Sequence, residues 1–158
     1  MTRFRTIPIP ATIADTARTT GRSPQYGHPV HTELAAGTGP CRLCLNTFQI
    51  GAEQRSLFTY NPFAGLDDYP SPGPIFVHAA GCTAFDQASG FPESLRALPL
   101  TLEGYADGRW LVAREVVDLG DVEGAATRLF AHPSVHYVHV RNSEAGCYIA
   151  RLERVPAA

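Results

Sequence analysis

Two segments of the chain have the periodicity of short amphipathic helices. In 121–131, apolar residues occupy the i, i+3, i+4, i+7 and i+8 positions that line one helix face. A His-Pro pair follows, and proline ends the pattern because it cannot continue a helix. Residues 11–20 form a second candidate, with Pro10 suited to the first turn and Gly21 to the C-terminal cap. The pattern predicts two helices.

Most other periodic segments are typical of strands. They are short apolar or alternating runs bounded by Gly, Pro, Asn or Asp. Asp107-Gly108 separates two of them and provides the backbone conformation of a tight hairpin turn. Asn142-Ser143-Glu144-Ala145 predicts a second turn near the end of the chain. The predicted strands are 3–8, 45–50, 56–60, 75–78, 100–105, 109–117, 134–141 and 146–155.

Strands outnumber helices, and most of their connections are short. This predicts an α+β protein with a curved, mainly antiparallel sheet and the two helices packed on one face. Residues 21–40 show no period and 61–74 form a proline-containing loop, so the middle of the chain is rich in loops. With 158 residues the chain has the size of one domain, and we expect a single domain over 1–158.

Composition and charge exclude several classes of protein. Hydrophobic residues make up 44% and charged residues 18%, so the chain is not disordered by composition. The net charge of -2 provides no field for a polyanion, and we expect no nucleic-acid partner. No stretch approaches the about 18 apolar residues of a membrane span. The proline-broken start, 1–10, lacks the apolar run of a signal peptide. We expect a cytoplasmic protein without a membrane partner.

The basic residues are all arginines. The 13 basic positions contain no lysine, which excludes Schiff-base chemistry on a side-chain amine. A lysine-free chain is typical of a GC-rich genome and indicates a bacterial source.

One motif has the spacing of a metal site. Cys41-x-x-Cys44 is followed, after 33 intervening residues, by His78-x-x-x-Cys82. Cytoplasmic thiols stay reduced, which favours ligands over disulfides. Zinc takes four sulfur or nitrogen ligands, and a two-residue spacing lets one turn direct both sulfurs at a metal. We expect Gly81 to permit the sharp backbone path beside Cys82. A complete Cys3His set predicts a structural zinc site made of Cys41, Cys44, His78 and Cys82.

Three other arrangements remain open. Cys41-x-x-Cys44 can be a redox dithiol, although such a pair is expected to open a helix and a strand-like segment follows it. His28 or His31 can replace Cys82, which would leave an incomplete sphere and a catalytic metal. Cys147, beside the last predicted turn, can act as a nucleophile if a histidine lies nearby. The chain is therefore either a binding protein or an enzyme.

Two loops carry residues suited to a ligand. Tyr60-Asn61 belongs to an aromatic loop that can line a pocket. Arg141, Asn142 and Glu144 crowd the last turn, where the arginine suits an anion. The plainer interpretation is a turn whose side chains satisfy backbone groups. We expect these loops to form the surface that binds a small molecule or a protein partner.

Several motifs along nearly the whole chain are shared with a known family. They are Phe4-Arg5 with Ile7-Pro8, Pro40-Cys41-Arg42 with Cys44-Leu45, Tyr60-Asn61-Pro62-Phe63, the segment 71–78, and the segment 141–148. On these motifs the chain resembles the bacterial family called domain of unknown function 1203. The resemblance implies no reaction, substrate or catalytic residue. Some relatives lack Cys44 or Cys82, which implies that a metal site belongs to chains like this one rather than to the whole family.

Overall fold

A computed structural model describes residues 3–63 and 72–156 of the chain. It contains eight strands and two α-helices within those ranges, with two short 3₁₀ turns at Gln87–Ser89 and Glu93–Leu95. In chain order the elements are β1 (Phe4–Ile7), α1 (Ala11–Thr20), β2 (His31–Leu34), β3 (Gln54–Tyr60), β4 (Gly73–His78), β5 (Leu100–Tyr105), β6 (Leu111–Val116), α2 (Val122–Phe130), β7 (Tyr137–Asn142) and β8 (Tyr148–Arg154).

The architecture is α+β, as the sequence predicted, but the strands form two sheets instead of one. The chain divides into two compact units, one made of Met1–Ile7 with Asp86–Ala158 and the other of Pro8–Phe85. Each unit contains one sheet and one helix, and all strand pairs are antiparallel. Within the described ranges no helix combines the length and apolarity needed to cross a membrane.

The first unit is a five-stranded sheet with α2 packed against it. The strand order is β1-β8-β7-β5-β6. The Asp121 side chain caps α2 by accepting a hydrogen bond from the backbone N–H of Gly124. The apolar face predicted for this helix is its buried face, made of Val122, Ala125, Ala126, Leu129 and Phe130. The predicted hairpin of β5 and β6 is also present.

The second unit is a three-stranded sheet in the order β2-β3-β4, with α1 in the same unit. Helix α1 has its predicted bounds and buries Ala14 and Ala17. Gly21 ends it with φ 68° and donates its N–H to the carbonyl of Ala17, so the predicted cap is confirmed. The start of β3 at Gln54 and the end of β4 at His78 position the candidate site described below.

Two predictions about this unit were wrong. Residues 45–50 do not form a strand: an isolated bridge joins Pro40 to Thr47, and Leu45 has φ 61°, which no strand residue adopts. The segment 21–40, predicted to be irregular, contains β2. This strand pairs with β3 through its backbone, but most of its side chains are exposed. Its sequence therefore lacks the alternation of apolar and polar residues by which a half-buried strand is predicted.

A buried histidine lies in the sheet of the first unit. His139 on β7 is fully buried, and its ring centroid lies 5.1, 5.2 and 4.8 Å from those of Tyr105, Tyr137 and Tyr148. Burial, together with nearby arginine charges, holds the pKa of His139 well below the usual 6.5. The folded protein therefore keeps this imidazole neutral under conditions in which an unfolded chain would protonate it.

We predict that His139 makes stability fall as the pH drops below about 6.5. There the unfolded chain takes up a proton at His139 and the folded chain does not, so acid favours unfolding, by at most about 1.4 kcal/mol per pH unit. Urea unfolding of His139→Gln between pH 7 and pH 5 should give a shallower pH dependence than the parent. The exposed His132→Gln is the matched control, and equal slopes in His139→Gln and the parent would contradict the prediction.

Candidate metal centre

Cys41 and Cys44 are held in one closed backbone turn. The N–H of Leu45 donates to the carbonyl of Cys41 at 2.8 Å, and the N–H of Cys41 donates to the carbonyl of Asn46 at 2.9 Å. Leu45 has the left-handed φ of 61°, which is uncommon for a residue with a side chain. Its side chain is fully buried, so packing holds this conformation.

Hydrogen bonds from three other segments fix the position of this turn. Arg42 donates its N–H to the carbonyl of Phe76 on β4 at 3.0 Å, and its own carbonyl accepts from Ile9 at 3.1 Å. The carbonyl of Leu43 accepts from the N–H of Phe85 at 3.0 Å. The turn is therefore joined to β4, which ends at His78, and to the chain that follows Cys82.

The structure brings the four predicted ligands together. The ligand atoms of Cys41, Cys44, His78 and Cys82 all lie within 4.8 Å of one another. The Sγ atoms of Cys41 and Cys82 are 3.8 Å apart, and the Sγ of Cys44 lies 3.4 Å from the Nδ1 of His78. A tetrahedral site with metal–sulfur bonds of about 2.3 Å and metal–nitrogen bonds of about 2.0 Å has edges of about 3.8 and 3.5 Å. These two distances are close to those edges, and the 4.8 Å limit on the whole group makes it compatible with a metal ion.

Glu53 orients the imidazole of His78 toward the three sulfurs. Its Oε1 lies 3.3 Å from the Nε2 of His78. The N–H of Gln49 donates to the other oxygen at 2.7 Å and lowers the pKa of Glu53, with a hydrogen bond from His78 acting in the same direction. An ionised carboxylate only accepts, so Nε2 carries the proton and Nδ1 presents its lone pair to the group. Metal-binding histidines usually have such a carboxylate partner.

Ionisation of one thiol in the group makes ionisation of the other two less favourable. A hydrogen bond from the Cys44 thiol lowers the pKa of Cys41 to about 4, and backbone N–H groups, including that of His78 at 3.4 Å, act in the same direction against the effect of burial. The same Cys41–Cys44 hydrogen bond raises the pKa of Cys44. Burial, and then the charge of Cys41, raises the pKa of Cys82. The group therefore favours one thiolate, at Cys41, and a bound cation would be needed for Cys44 and Cys82 to ionise as well.

Arg18 provides one positive charge beside the group. Its Nη2 donates to the Sγ of Cys82 at 3.3 Å, and its Nε donates to the carbonyl of His78 at 3.0 Å. The side chain projects from α1 and is only 13% exposed. Sequence reasoning identified neither Arg18 nor Glu53, because no spacing rule relates either residue to the cysteine motif.

A surface cavity of about 810 Å³ borders the group. Its lining includes Cys44, His78 and Cys82 together with Glu53. Cys41 has no exposed surface, whereas Cys82 is partly exposed. The group therefore has a buried side at Cys41 and an accessible side at Cys82.

Gly81 does not have the role expected for it. Its φ is not positive, and a Cβ added there would meet nothing within 4 Å. The left-handed residue of the site is Leu45 instead. The chain can therefore bring Cys82 to the other ligands without a conformation that favours glycine.

The histidines considered as alternative ligands lie outside the group. The Nε2 of His28 accepts a hydrogen bond from the N–H of Thr59 at 3.1 Å, so Nδ1 carries the proton and donates to the carbonyl of Pro29 at 2.9 Å. Both ring nitrogens of His28 are therefore occupied. His31 is exposed on β2, with its Nε2 3.6 Å from Glu33.

The residues predicted to bind a ligand in the last turn make contacts within the fold. The Nε of Arg141 lies 2.6 Å from a carboxylate oxygen of Glu103. The side-chain oxygen of Asn142 accepts from the N–H groups of Glu144 and Ala145, each at 2.9 Å. The thiol of Cys147 in the same turn lies 3.8 Å from the carbonyl of Ala145. These contacts are those of a hydrogen-bonded turn.

The other predicted ligand loop follows β3. Tyr60 is buried, at 6% exposure. The backbone of Asn61 exchanges two hydrogen bonds with the side chain of Gln25, and its side chain accepts from the N–H of Phe63. Residues 64–71 of the predicted loop lie outside the described residues.

The fold and site define an α+β protein with a Cys3His group compatible with a metal ion. A family model described as "Protein of unknown function (DUF1203)" matches residues 38–154. The chain belongs to this family, as its motifs indicated. The matched range contains all four residues of the group. No curated protein and no solved structure matches the chain.

We predict that all four cysteines are free thiols. The 3.8 Å between the sulfurs of Cys41 and Cys82 is far longer than a disulfide bond of about 2.05 Å. Freshly purified protein, denatured with a chelator and without reductant, should take up four iodoacetamide groups per chain by intact mass. Uptake of two groups would show a disulfide and contradict the prediction.

Proposed function

We propose that the chain is a small cytoplasmic zinc-binding protein of bacterial origin in which the metal is structural. Cys41, Cys44, His78 and Cys82 would hold the ion. The observation that carries the proposal is the convergence of their four ligand atoms within 4.8 Å of one another. The orientation of Nδ1 toward the sulfurs, set by Glu53, supports it independently.

The donor set supports zinc. Three thiolates and one imidazole are soft or borderline ligands, and four-coordinate tetrahedral sites of this kind are typical of zinc. The Cys41–Cys82 sulfur distance of 3.8 Å and the Cys44 sulfur to His78 Nδ1 distance of 3.4 Å are close to two edges of such a tetrahedron. A divalent cation would also allow all three thiols to ionise together.

A closed set of four protein ligands supports a structural role. All four corners are filled by side chains, so no position remains for a substrate. The ligands come from the turn at 41–44, the end of β4 and the segment after it, which the metal would cross-link. Structural zinc binds with apparent free energies of about 10–16 kcal/mol, as large as the whole stability of a typical domain. The metal would therefore decide whether this unit folds.

The biological role that we propose is binding of a small molecule or a protein partner. We propose two candidate binding loops, considered separately: Tyr60 and Asn61 in the second unit, and Arg141, Asn142 and Glu144 in the first. Glu144 is exposed and Asn61, Arg141 and Asn142 are partly exposed, which supports this proposal. We also propose that 1–158 functions as one domain, since the first unit contains both ends of the chain and the second lies between them in sequence.

Removal of one ligand should remove both the metal and the fold. We expect purified wild-type protein to contain about one zinc per chain by elemental mass spectrometry. Cys41→Ser should lose the zinc and unfold at a much lower temperature, because metal binding contributes folding free energy. Cys147→Ser makes the same chemical change outside the group and should retain both properties. A Cys41→Ser protein with normal stability would contradict a structural role and favour a catalytic metal.

Glu53 should affect metal affinity without binding the metal. Glu53→Gln removes the charge that orients His78, and loss of such a partner typically weakens metal binding about 10–100-fold. Competition with a chromogenic zinc chelator measures this change. Glu144→Gln, in an exposed turn of the other unit, is the matched control. Equal zinc affinity in Glu53→Gln and wild type would contradict the role of Glu53.

A further inference from the structure

We propose that Cys82 is an oxidation site through which peroxides open the metal centre, with Cys41 as the resolving thiol. The inference rests on the proposed zinc site and adds the chemistry by which that site loses its metal. Three features distinguish Cys82 from the other two thiols of the group: access, a position outside helix, strand and closed turn, and the contact with the Arg18 guanidinium.

Access differs among the three thiols. Cys41 has no exposed surface and Cys44 is 8% exposed, whereas Cys82 is partly exposed. Cys82 also lines the cavity of about 810 Å³, which exceeds the volume of a small peroxide many times over. Zinc would hold all three sulfurs as thiolates, so exposure decides among them, and a peroxide would reach Cys82 first.

The sulfurs of Cys41 and Cys82 also differ in how many local hydrogen bonds hold them. Cys41 is fixed by the backbone hydrogen bonds of its turn and receives a further one on its sulfur from the N–H of His78. Cys82 lies in the segment 79–86, which has neither helix nor strand. Its Sγ needs to approach that of Cys41 by about 1.8 Å, from 3.8 Å to the length of a disulfide bond.

Arg18 stands where the reaction would release negative charge. Its guanidinium is 3.3 Å from the Sγ of Cys82 and only 13% exposed. A positive charge at this distance stabilises the hydroxide that leaves when the peroxide bond breaks. Cys82 thus has the accessible sulfur, the neighbouring cation and the resolving partner that redox-sensitive cysteines combine.

The chemistry balances with one peroxide per chain. The Cys82 thiolate attacks one oxygen of hydrogen peroxide, an S–O bond forms, the O–O bond breaks and hydroxide leaves. The Cys41 thiolate then attacks the resulting sulfenic acid, an S–S bond forms, the S–O bond breaks and a second hydroxide leaves. Two electrons pass from the two sulfurs to the peroxide. The metal loses two of its four ligands and is released.

The experiment treats the full-length zinc-loaded protein with hydrogen peroxide. A chromogenic chelator records zinc release, and peptide mass spectrometry after alkylation maps the disulfide. We expect about one zinc per chain to leave as one Cys41–Cys82 disulfide forms, with Cys44 still available for alkylation. Dithiothreitol followed by zinc should restore the loaded protein. A Cys41–Cys44 disulfide with Cys82 still reduced would overturn the proposal.

Cys82→His separates oxidation from metal binding. The variant has four ligands of types that zinc accepts, and its zinc content per chain is measured before oxidant is added. It should lose the peroxide-driven release, whereas Cys147→Ser should respond as the wild type does. Release from Cys82→His at the wild-type rate would overturn the proposal. Zinc that stays bound to oxidant-treated wild type would overturn this inference alone, and wild-type protein unable to bind zinc would overturn the proposed function as well.

Discussion

The convergence of three thiols and one imidazole is the constraint on which the second unit depends. Hydrogen bonds from the Cys44 thiol and from backbone N–H groups favour a thiolate at Cys41. The hydrogen bond to Cys41 and burial raise the pKa of Cys44, and burial and the charge of Cys41 raise that of Cys82. Arg18 provides one positive charge and Glu53 orients His78, but neither is a divalent cation. The four ligand atoms lie within 4.8 Å of one another, and a divalent metal ion bound among them would stabilise all three cysteines as thiolates.

The features predicted correctly from sequence are those whose signal is local or chemically specific. Helix α2 was predicted because its apolar face is complete, and α1 because Gly21 marks its end. The proximity of the four potential ligands was predicted because the Cys41-x-x-Cys44 and His78-x-x-x-Cys82 spacings are those of metal-ligand pairs. The α+β class followed from the predominance of short strands.

The features that were missed depend on tertiary structure. Leu45 belongs to an apolar run typical of a strand, but the turn forces it into a left-handed conformation that its buried side chain stabilises. Glu53 is one of many acidic residues and Arg18 one of 13 arginines, and only strand register and helix packing bring them to the site. The division into two sheets likewise has no local signature, because strand pairing is a non-local property.

The most direct test of the central claim is X-ray absorption at the zinc edge, measured on protein purified without a histidine tag or chelator. The account predicts a four-coordinate zinc with three sulfur neighbours at about 2.3 Å and one nitrogen at about 2.0 Å. Absence of zinc, or a shell of nitrogen and oxygen with fewer than three sulfurs, would contradict a site made of Cys41, Cys44, His78 and Cys82.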